Sequence, residues 1–419
     1  MTITEREFAR QMDREDPLRD FRDRFYIPTA ADGEEVIYFC GNSLGLQPKT
    51  TSDYLNRELE RWAKKGVEGH FDGPDGWYGY HELLSESLAE VVGARPSEVV
   101  AMNSLTTNLH LLMVSFYRPT KKRFKIMIEG GAFPSDRYAV QSQANFHGFS
   151  PDEAIVELTP REGESLLRRS DILQAIEDEG EQLALIMLGG VNYYTGQFFE
   201  LEKITEAGHA VGAKVGFDLA HAAGNVPLRL HDWGPDFAAW CNYKYLNSGP
   251  GAVSGIFVHE RHGNAPELPR FAGWWGVDPE GRFEMKPNFE PQTGAAGWQL
   301  SNAPILSMAA LRASTEIFME AGMERLRQKS EKLTAYLVSL IDQLPQSSFE
   351  IITPDDPDHR GCQVSILAHH DSQGLYDRLT EANVVCDYRR PDVIRLAPVP
   401  LYNTFEDVWR FWEILAESV

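Results

Sequence analysis

A chain of 419 residues exceeds what one small core holds, so two domains are the default expectation. Its 42% hydrophobic and 24% charged residues are ordinary for a globular protein and argue against dominant disorder. A formal net charge of -22 argues against nucleic acid or an anionic membrane as the main partner, so an anionic ligand must find a local positive patch.

In chain order, the opening MTITEREFARQMDRED is highly charged and lacks an apolar core, so it reads as a helix and not as a signal peptide. A short strand from Val36 to Phe39 runs into the Gly/Pro-rich loop GNSLGLQP. Helices are expected near Ser52–Ala63 and His81–Val92, the latter with Leu83, Leu84, Leu88 and Val91 at helical spacing. Strands at Ser97–Met102, Lys125–Glu129, Ala154–Leu158, Leu183–Leu188 and Ala213–Phe217 then alternate with helices at Thr107–Phe116, Ser135–Asn145, Ser170–Glu177 and Leu201–Val211. That alternation predicts βαβ units and a mostly parallel sheet. No clear helix separates Phe237–Cys241 from Val253–His259, which predicts at least one antiparallel neighbour. A long helix follows Asn302-Ala303-Pro304 and a second spans Met323–Leu344. Strands at Glu350–Ile352, Cys362–Leu367 and Val393–Leu396, with helices at Ser372–Ala382 and Thr404–Glu417, make a smaller α/β unit. The expected division is 1–50 as a segment packing on the small domain, 51–310 as the large domain and 311–419 as the small one.

Several motifs lead nowhere. Gly41-Asn42-Ser43-Leu44-Gly45 fits the GxSxG elbow, but Leu46-Gln47-Pro48 starts no clean helix, so it reads as a structured loop. The Gly249-Pro250-Gly251 region is no dinucleotide or Walker motif, and His259-Glu260-Arg261-His262 is not HExxH. His369-His370 reads as a solvated loop pair, and no metal site is expected. Cys40, Cys241, Cys362 and Cys386 form no CxxC pair and no disulfide framework, which suits a reducing, cytoplasmic setting.

One constellation carries chemistry. The apolar strand Val215–Phe217 ends in Asp218, at the strand edge where open α/β sheets bind ligands. Alone, Asp218 would read as a helix cap. Further on, Lys244 follows Phe237–Cys241 and precedes a Gly-rich turn, with aromatic and apolar flanks that would desolvate its amine. A desolvated amine suits a Schiff-base lysine, and an acid facing a ring nitrogen is the other group that pyridoxal phosphate needs. Ser104-Leu105-Thr106-Thr107-Asn108, between strand and helix, offers donors for a phosphate. Phe133 and Asp136 open the next helix on the same sheet edge, where an aromatic could stack on the ring.

The chain resembles the kynureninases, in the class V aminotransferase branch of fold-type I pyridoxal-phosphate enzymes. The resemblance runs through Tyr38–Pro48, Asn108–Met113, Gly131–Asp136, Tyr193–Gln197, Gly216–Ala222, Tyr243–Asn247, Gly273–Gly276 and Ile394–Pro400. It implies a seven-stranded, mostly parallel large domain with a smaller α/β domain. It implies hydrolytic Cβ–Cγ cleavage of L-kynurenine, or of 3-hydroxy-L-kynurenine, to the corresponding anthranilate and L-alanine, within tryptophan degradation. By resemblance, Lys244 is the Schiff-base lysine and Asp218 the pyridinium partner, with His221 beside it. Leu105, Thr106, Tyr243, Trp274 and Asn302 are the implied cofactor and phosphate contacts, Phe133 the stacking ring and Asp136 its neighbour. Arg395 is the implied clamp for the substrate α-carboxylate. His70, Ser43 and Asn302 fall near its aryl end, and Tyr243 is a candidate proton donor. Gly189 departs from relatives that carry a hydroxyl there. A homodimer is implied as well. The competing activities are cysteine desulfuration, for which Cys362 is the candidate thiol, amino transfer, and cofactor-free binding.

Overall fold

The architecture is that of a computed structural model, which describes residues 2–345 and 347–418. Its organising element is a seven-stranded sheet built from β2 (Val99–Ala101), β3 (Lys125–Glu129), β4 (Ile155–Leu158), β5 (Leu183–Gly189), β6 (Lys214–Asp218), β7 (Phe237–Trp240) and β8 (Gly255–Val258), after a two-residue β1 (Ile37–Tyr38). The order across the sheet is β2-β8-β7-β6-β5-β3-β4. Strands β4, β3, β5, β6 and β7 run parallel, whereas β8 pairs antiparallel with both β7 and β2. The antiparallel neighbour expected from the missing helix is therefore β8.

Strand β5 shows why the sheet forms. It is an almost unbroken apolar run, as a parallel strand covered on both faces requires. Ile186 and Leu188 face one core, with Leu88, Val215, Phe217 and Trp240. Leu185 and Met187 face the other, with Leu109, Met113, Ile126 and Ile128. Helices Leu105–Phe116 and Pro134–Phe146 cover this second face, while Ser85–Val92, Leu201–Ala210 and Ile305–Ala321 cover the first.

A third core belongs to a smaller unit. Strands β9 (Phe349–Ile351), β10 (Val364–Ala368), β12 (Asp387–Arg389) and β13 (Val393–Leu396) form an antiparallel sheet in the order β12-β13-β10-β9, and β11 (Val384–Val385) pairs in parallel with β1. Ala9, Ile37 and Phe39 from the start of the chain are buried here with Leu337, Ile366, Leu396 and Phe411. The long helix Ile305–Ala321 contributes Met308, Leu311, Ile317 and Ala321 to the first core, and the next helix, Met323–Ile341, joins the third core from Leu333 onward. Gly322, at φ 77°, separates the two helices.

Candidate active site

The carboxyl ends of β3, β5 and β6 and the loop after β7 open into a cavity of about 310 Å³, with β12 and β13 of the smaller unit contributing to its wall. Asp218, the last residue of β6, is 7% exposed. Its Oδ1 accepts the Ala220 N–H at 2.7 Å, and its carbonyl accepts the Gly190 N–H at 2.7 Å. Burial raises its pKa, against the pull of the nearby Lys244 amine. Asp136, in the first turn of Pro134–Phe146, shares a hydrogen bond with Asp218, and burial followed by the Asp218 charge raises it well above the usual carboxylate range.

Lys244 sits where the chain reverses after β7. Asn247, at φ 52°, donates its N–H to the Lys244 carbonyl at 3.0 Å. The GNSLG loop braces that turn: the Gly45 N–H donates to the Tyr243 carbonyl at 2.8 Å, and a Cβ at Gly45 would meet the Lys244 carbonyl. The motif is thus a backbone contact with the lysine loop, and no helix follows Ser43. The Lys244 Nζ lies 3.1 Å from His221 Nε2, and 5.9 and 6.0 Å from the Phe133 and Tyr243 ring centres. Burial, then the Lys244 charge, drives His221 well below its usual pKa, so the imidazole is neutral. Its Nδ1 is buried without a hydrogen-bond partner among the described residues.

Across the cavity, Ser104 caps the helix Leu105–Phe116, and Leu105, Thr106 and Ser135 line the wall beside it. Free N–H groups and hydroxyls at a helix start are a cradle for a dianion. Arg395, in β13, is 1% exposed. Asp387 grips it through Nε (3.2 Å) and Nη2 (2.7 Å), and its Nη1 donates to the Tyr193 carbonyl at 2.6 Å.

The cavity therefore gathers Lys244, Asp218, His221, Tyr243, Phe133 and Asp136. Ser43, Leu105, Thr106, Gly189 and Arg395 line it too. His70, Trp274 and Asn302 do not. His70 donates Nδ1–H to the Val67 carbonyl (3.0 Å) and packs edge-on to Trp77. Trp274 bonds the Arg282 carbonyl (3.1 Å) and packs edge-on to Phe283, and Asn302 is exposed. Sequence reasoning missed Glu129, Tyr193 and Arg389, all of which line the cavity. For Glu129 a signal existed: it ends the apolar run of β3 just as Asp218 ends that of β6.

A buried acid, an amine beside a neutral imidazole, a flanking aromatic and a helix-start anion cradle match the ring nitrogen, aldehyde, π-face and phosphate of pyridoxal phosphate. Cys362 is 1% exposed, and burial pushes its thiol up to about 12, unlike a mobile nucleophile. Glu98, His231 and His259 bring potential metal-ligand atoms within 4.8 Å of one another. Glu98 already accepts from the Arg95 N–H (2.9 Å), the Glu260 N–H (2.8 Å) and His231 Nδ1 (3.1 Å), so the group is a hydrogen-bonded knot between loops.

The fold is shared with solved structures of low sequence identity. A cysteine desulfurase from Escherichia coli superposes with a TM-score of 0.78 at 16% identity, over 96% of this chain and 98% of that one. A mutant of the protein C-DES, with glycine covalently linked to its PLP cofactor, gives 0.77 at 18% identity, over 91% and 96%. A family model described as the kynureninase C-terminal domain matches residues 326–415. A protein of Myxococcus xanthus named kynureninase is 59% identical across 97% of this chain and 96% of its own length. Identity at that level over nearly the whole length of both proteins settles kinship: the chain belongs to the kynureninase family.

Proposed function

We propose that this chain hydrolyses the Cβ–Cγ bond of L-kynurenine, giving anthranilate and L-alanine, with Lys244 as the group that carries and moves the decisive proton. The observation that supports this most is the meeting of Lys244, Asp218 and Arg395 at one cavity from three separate parts of the fold. Pyridoxal 5'-phosphate, when bound, supplies an aldehyde carbon for an amine and a ring that accepts electrons from the substrate α-carbon. Lys244 would hold it covalently, Asp218 would face its ring nitrogen, and Leu105, Thr106 and Tyr243 would hold its phosphate. Phe133 would cover the ring, with Asp136, His221 and Gly189 completing the wall.

The chain's own groups then divide the work. Arg395, oriented by Asp387, holds the substrate α-carboxylate with its remaining N–H groups. That fixes the α C–H toward Lys244, whose Nζ takes the proton as general base when it is free of the cofactor. Neutral His221, 3.1 Å away, accepts a hydrogen bond from the amine and orients it. Tyr243, whose hydroxyl burial keeps protonated, is a candidate to return a proton to the departing half. Ser43 lies where the aryl end would reach.

His70, Trp274 and Asn302 enter this reading through a second copy of the chain, so we assign the enzyme as a homodimer. We also assign it to the cytoplasm, a reading supported by four free cysteines. Among the described residues, no helix is long and apolar enough to cross a membrane.

The test is direct. Purified protein given pyridoxal phosphate and L-kynurenine should release anthranilate, followed by its fluorescence. Lys244→Ala should lose the covalently held cofactor absorbance, and turnover should fall on the order of 10²–10⁴-fold or more. Full turnover in that variant would overturn the assignment.

A further inference from the structure

The mechanism leaves one buried acid of the cavity without work. Glu129, the last residue of β3, is 5% exposed and lines the cavity. Its Oε1 accepts the backbone N–H of Gly189 at 2.9 Å. Gly189 pairs in register with Asp218, and the next N–H, that of Gly190, donates to the Asp218 carbonyl. The end of β5 is therefore strung between Glu129 on one side and Asp218 on the other. A Cβ at Gly189 would stand 2.7 Å from Glu129 Oε1, so the missing side chain at 189 is what lets the carboxyl enter.

The titratable groups that share the cavity with this carboxyl come from four places: Asp218 on β6, Asp136 on the helix Pro134–Phe146, His221 in the turn beyond β6 and Lys244 in the turn beyond β7, of which Asp218 and Asp136 act on it directly. Three carboxyls thus share a wall with one lysine and a neutral imidazole. Each carboxyl raises its neighbour's pKa, so joint ionisation is disfavoured and protons are distributed over the group.

We propose that Glu129 is a positioning residue for the Asp218–Asp136 pair: tied to the pair through Gly189, its own ionisation sets how much negative charge the pair presents to a ring nitrogen at Asp218. Burial raises Glu129 to about 7, which puts its proton in play at neutral pH. With Glu129 protonated, Asp218 and Asp136 are relieved of a neighbouring charge and ionise more readily. Once Glu129 ionises, its charge strengthens the hold of the Asp218 site on a ring-nitrogen proton.

This inference rests on the reading that the cavity holds pyridoxal phosphate, and the experiment separates the two. Holoenzyme is loaded with cofactor isotopically labelled at the ring nitrogen, and the NMR shift of that nitrogen is followed from acid to alkaline pH without substrate. Wild type should show a step near neutrality. Glu129→Gln, which still accepts the Gly189 N–H but cannot ionise, should lose the step. Glu129→Asp, which keeps an acid but shortens it, should keep the step with a displaced midpoint. A wild type without the step, Glu129→Gln with the step intact, or Glu129→Asp with an unmoved midpoint would each overturn the proposal. Bound cofactor without the step leaves the enzymatic reading standing, whereas a chain that takes up no cofactor brings down both.

Discussion

In the proposed reaction, Arg395 concentrates the substrate chemistry of the smaller unit in one side chain. It is nearly inaccessible, and its donors are matched: Asp387 meets it with both oxygens and the Tyr193 carbonyl takes a third N–H. A lysine at this position would reach Asp387 with one ammonium, lose the fork, and present no paired donors to a carboxylate. Charge-assisted hydrogen bonds contribute roughly 1.5–3 kcal/mol each, which corresponds to about 10–100-fold in affinity. Arg395→Lys should therefore raise KM for kynurenine about 10–100-fold with a smaller change in kcat. Steady-state kinetics check it, and an unchanged KM would show that the α-carboxylate binds elsewhere. Tyr193 belongs to the same arrangement, since the Arg395 and Arg389 guanidiniums lie 5.9 and 6.0 Å from its ring centre.

At the scale of elements, the segment between β8 and the helix Ile305–Ala321 is short of regular structure and is held by a buried cation. Arg282, 1% exposed, lies over the rings of both Tyr78 (4.9 Å) and Trp275 (4.4 Å), which pack edge-on to each other, and donates Nη2 to the carbonyls of Trp275 and Val277, each at 2.9 Å. Beside it His81 is buried, and burial first, then the Arg282 charge, lowers its pKa to about 4. An unfolded histidine titrates near 6.5. His81 is therefore neutral in the native state at pH 7, and its contribution to stability is complete above about 6.5. As pH falls from about 6.5 to about 4 the unfolded chain binds a proton that the native state refuses, and on the order of 3 kcal/mol is lost. The melting temperature of wild type should drop more steeply through that window than that of His81→Gln. Parallel slopes in the two proteins would refute the assignment.

The strand–helix alternation from β3 to β6 was legible because each strand is a short apolar run between helical periodicities, and Asp218 and Lys244 were legible as polar groups where such runs end. The same rule applied to Lys125–Glu129 would have marked Glu129, but an acid at a strand end is also an ordinary solvated residue until its neighbours are placed. Tyr193 and Arg389 carry no local pattern. Their meeting at the cavity depends on how the smaller unit docks, and Arg395 was identified through resemblance alone. The passage between units was expected near residue 310. Met308, Leu311 and Ile317 pack in the first core, as does Leu326 beyond Gly322, and we propose that the passage falls between Leu326 and Leu333. A helical period does not reveal which core its apolar stripe faces.

For the whole molecule, the arrangement of the units decides what one copy can and cannot build. The start of the chain is fastened to the end: Asp13 accepts the N–H groups of Phe405 (2.7 Å) and Glu406 (3.0 Å), and Lys329 meets Asp16 at 2.7 Å in a buried pair. The smaller unit thus brings Arg395 to the cavity as part of a braced body. His70 and Trp274, by contrast, sit on one aromatic ledge, joined through Phe71, Tyr78 and Phe283. Phe71 (61% exposed) and Phe283 (59%) leave that ledge largely open to solvent, although apolar surface of this kind is normally covered. In the proposed homodimer a second copy would cover it and bring the ledge to a neighbouring cavity, and each active site would be composite. The prediction is a complementation. Lys244→Ala removes the proton carrier from a copy's own cavity, and Trp274→Ala damages only what that copy lends to its neighbour. Unfolded together and refolded as a mixture, the two inactive or impaired proteins should regain activity, because mixed dimers hold one site with both groups intact. With equal amounts, half the dimers are mixed and each carries one sound site of two, so recovery should approach about a quarter of the wild-type rate. Recovery no greater than the average of the two separate variants would mean that Trp274 serves its own chain, and the shared site would have to be abandoned.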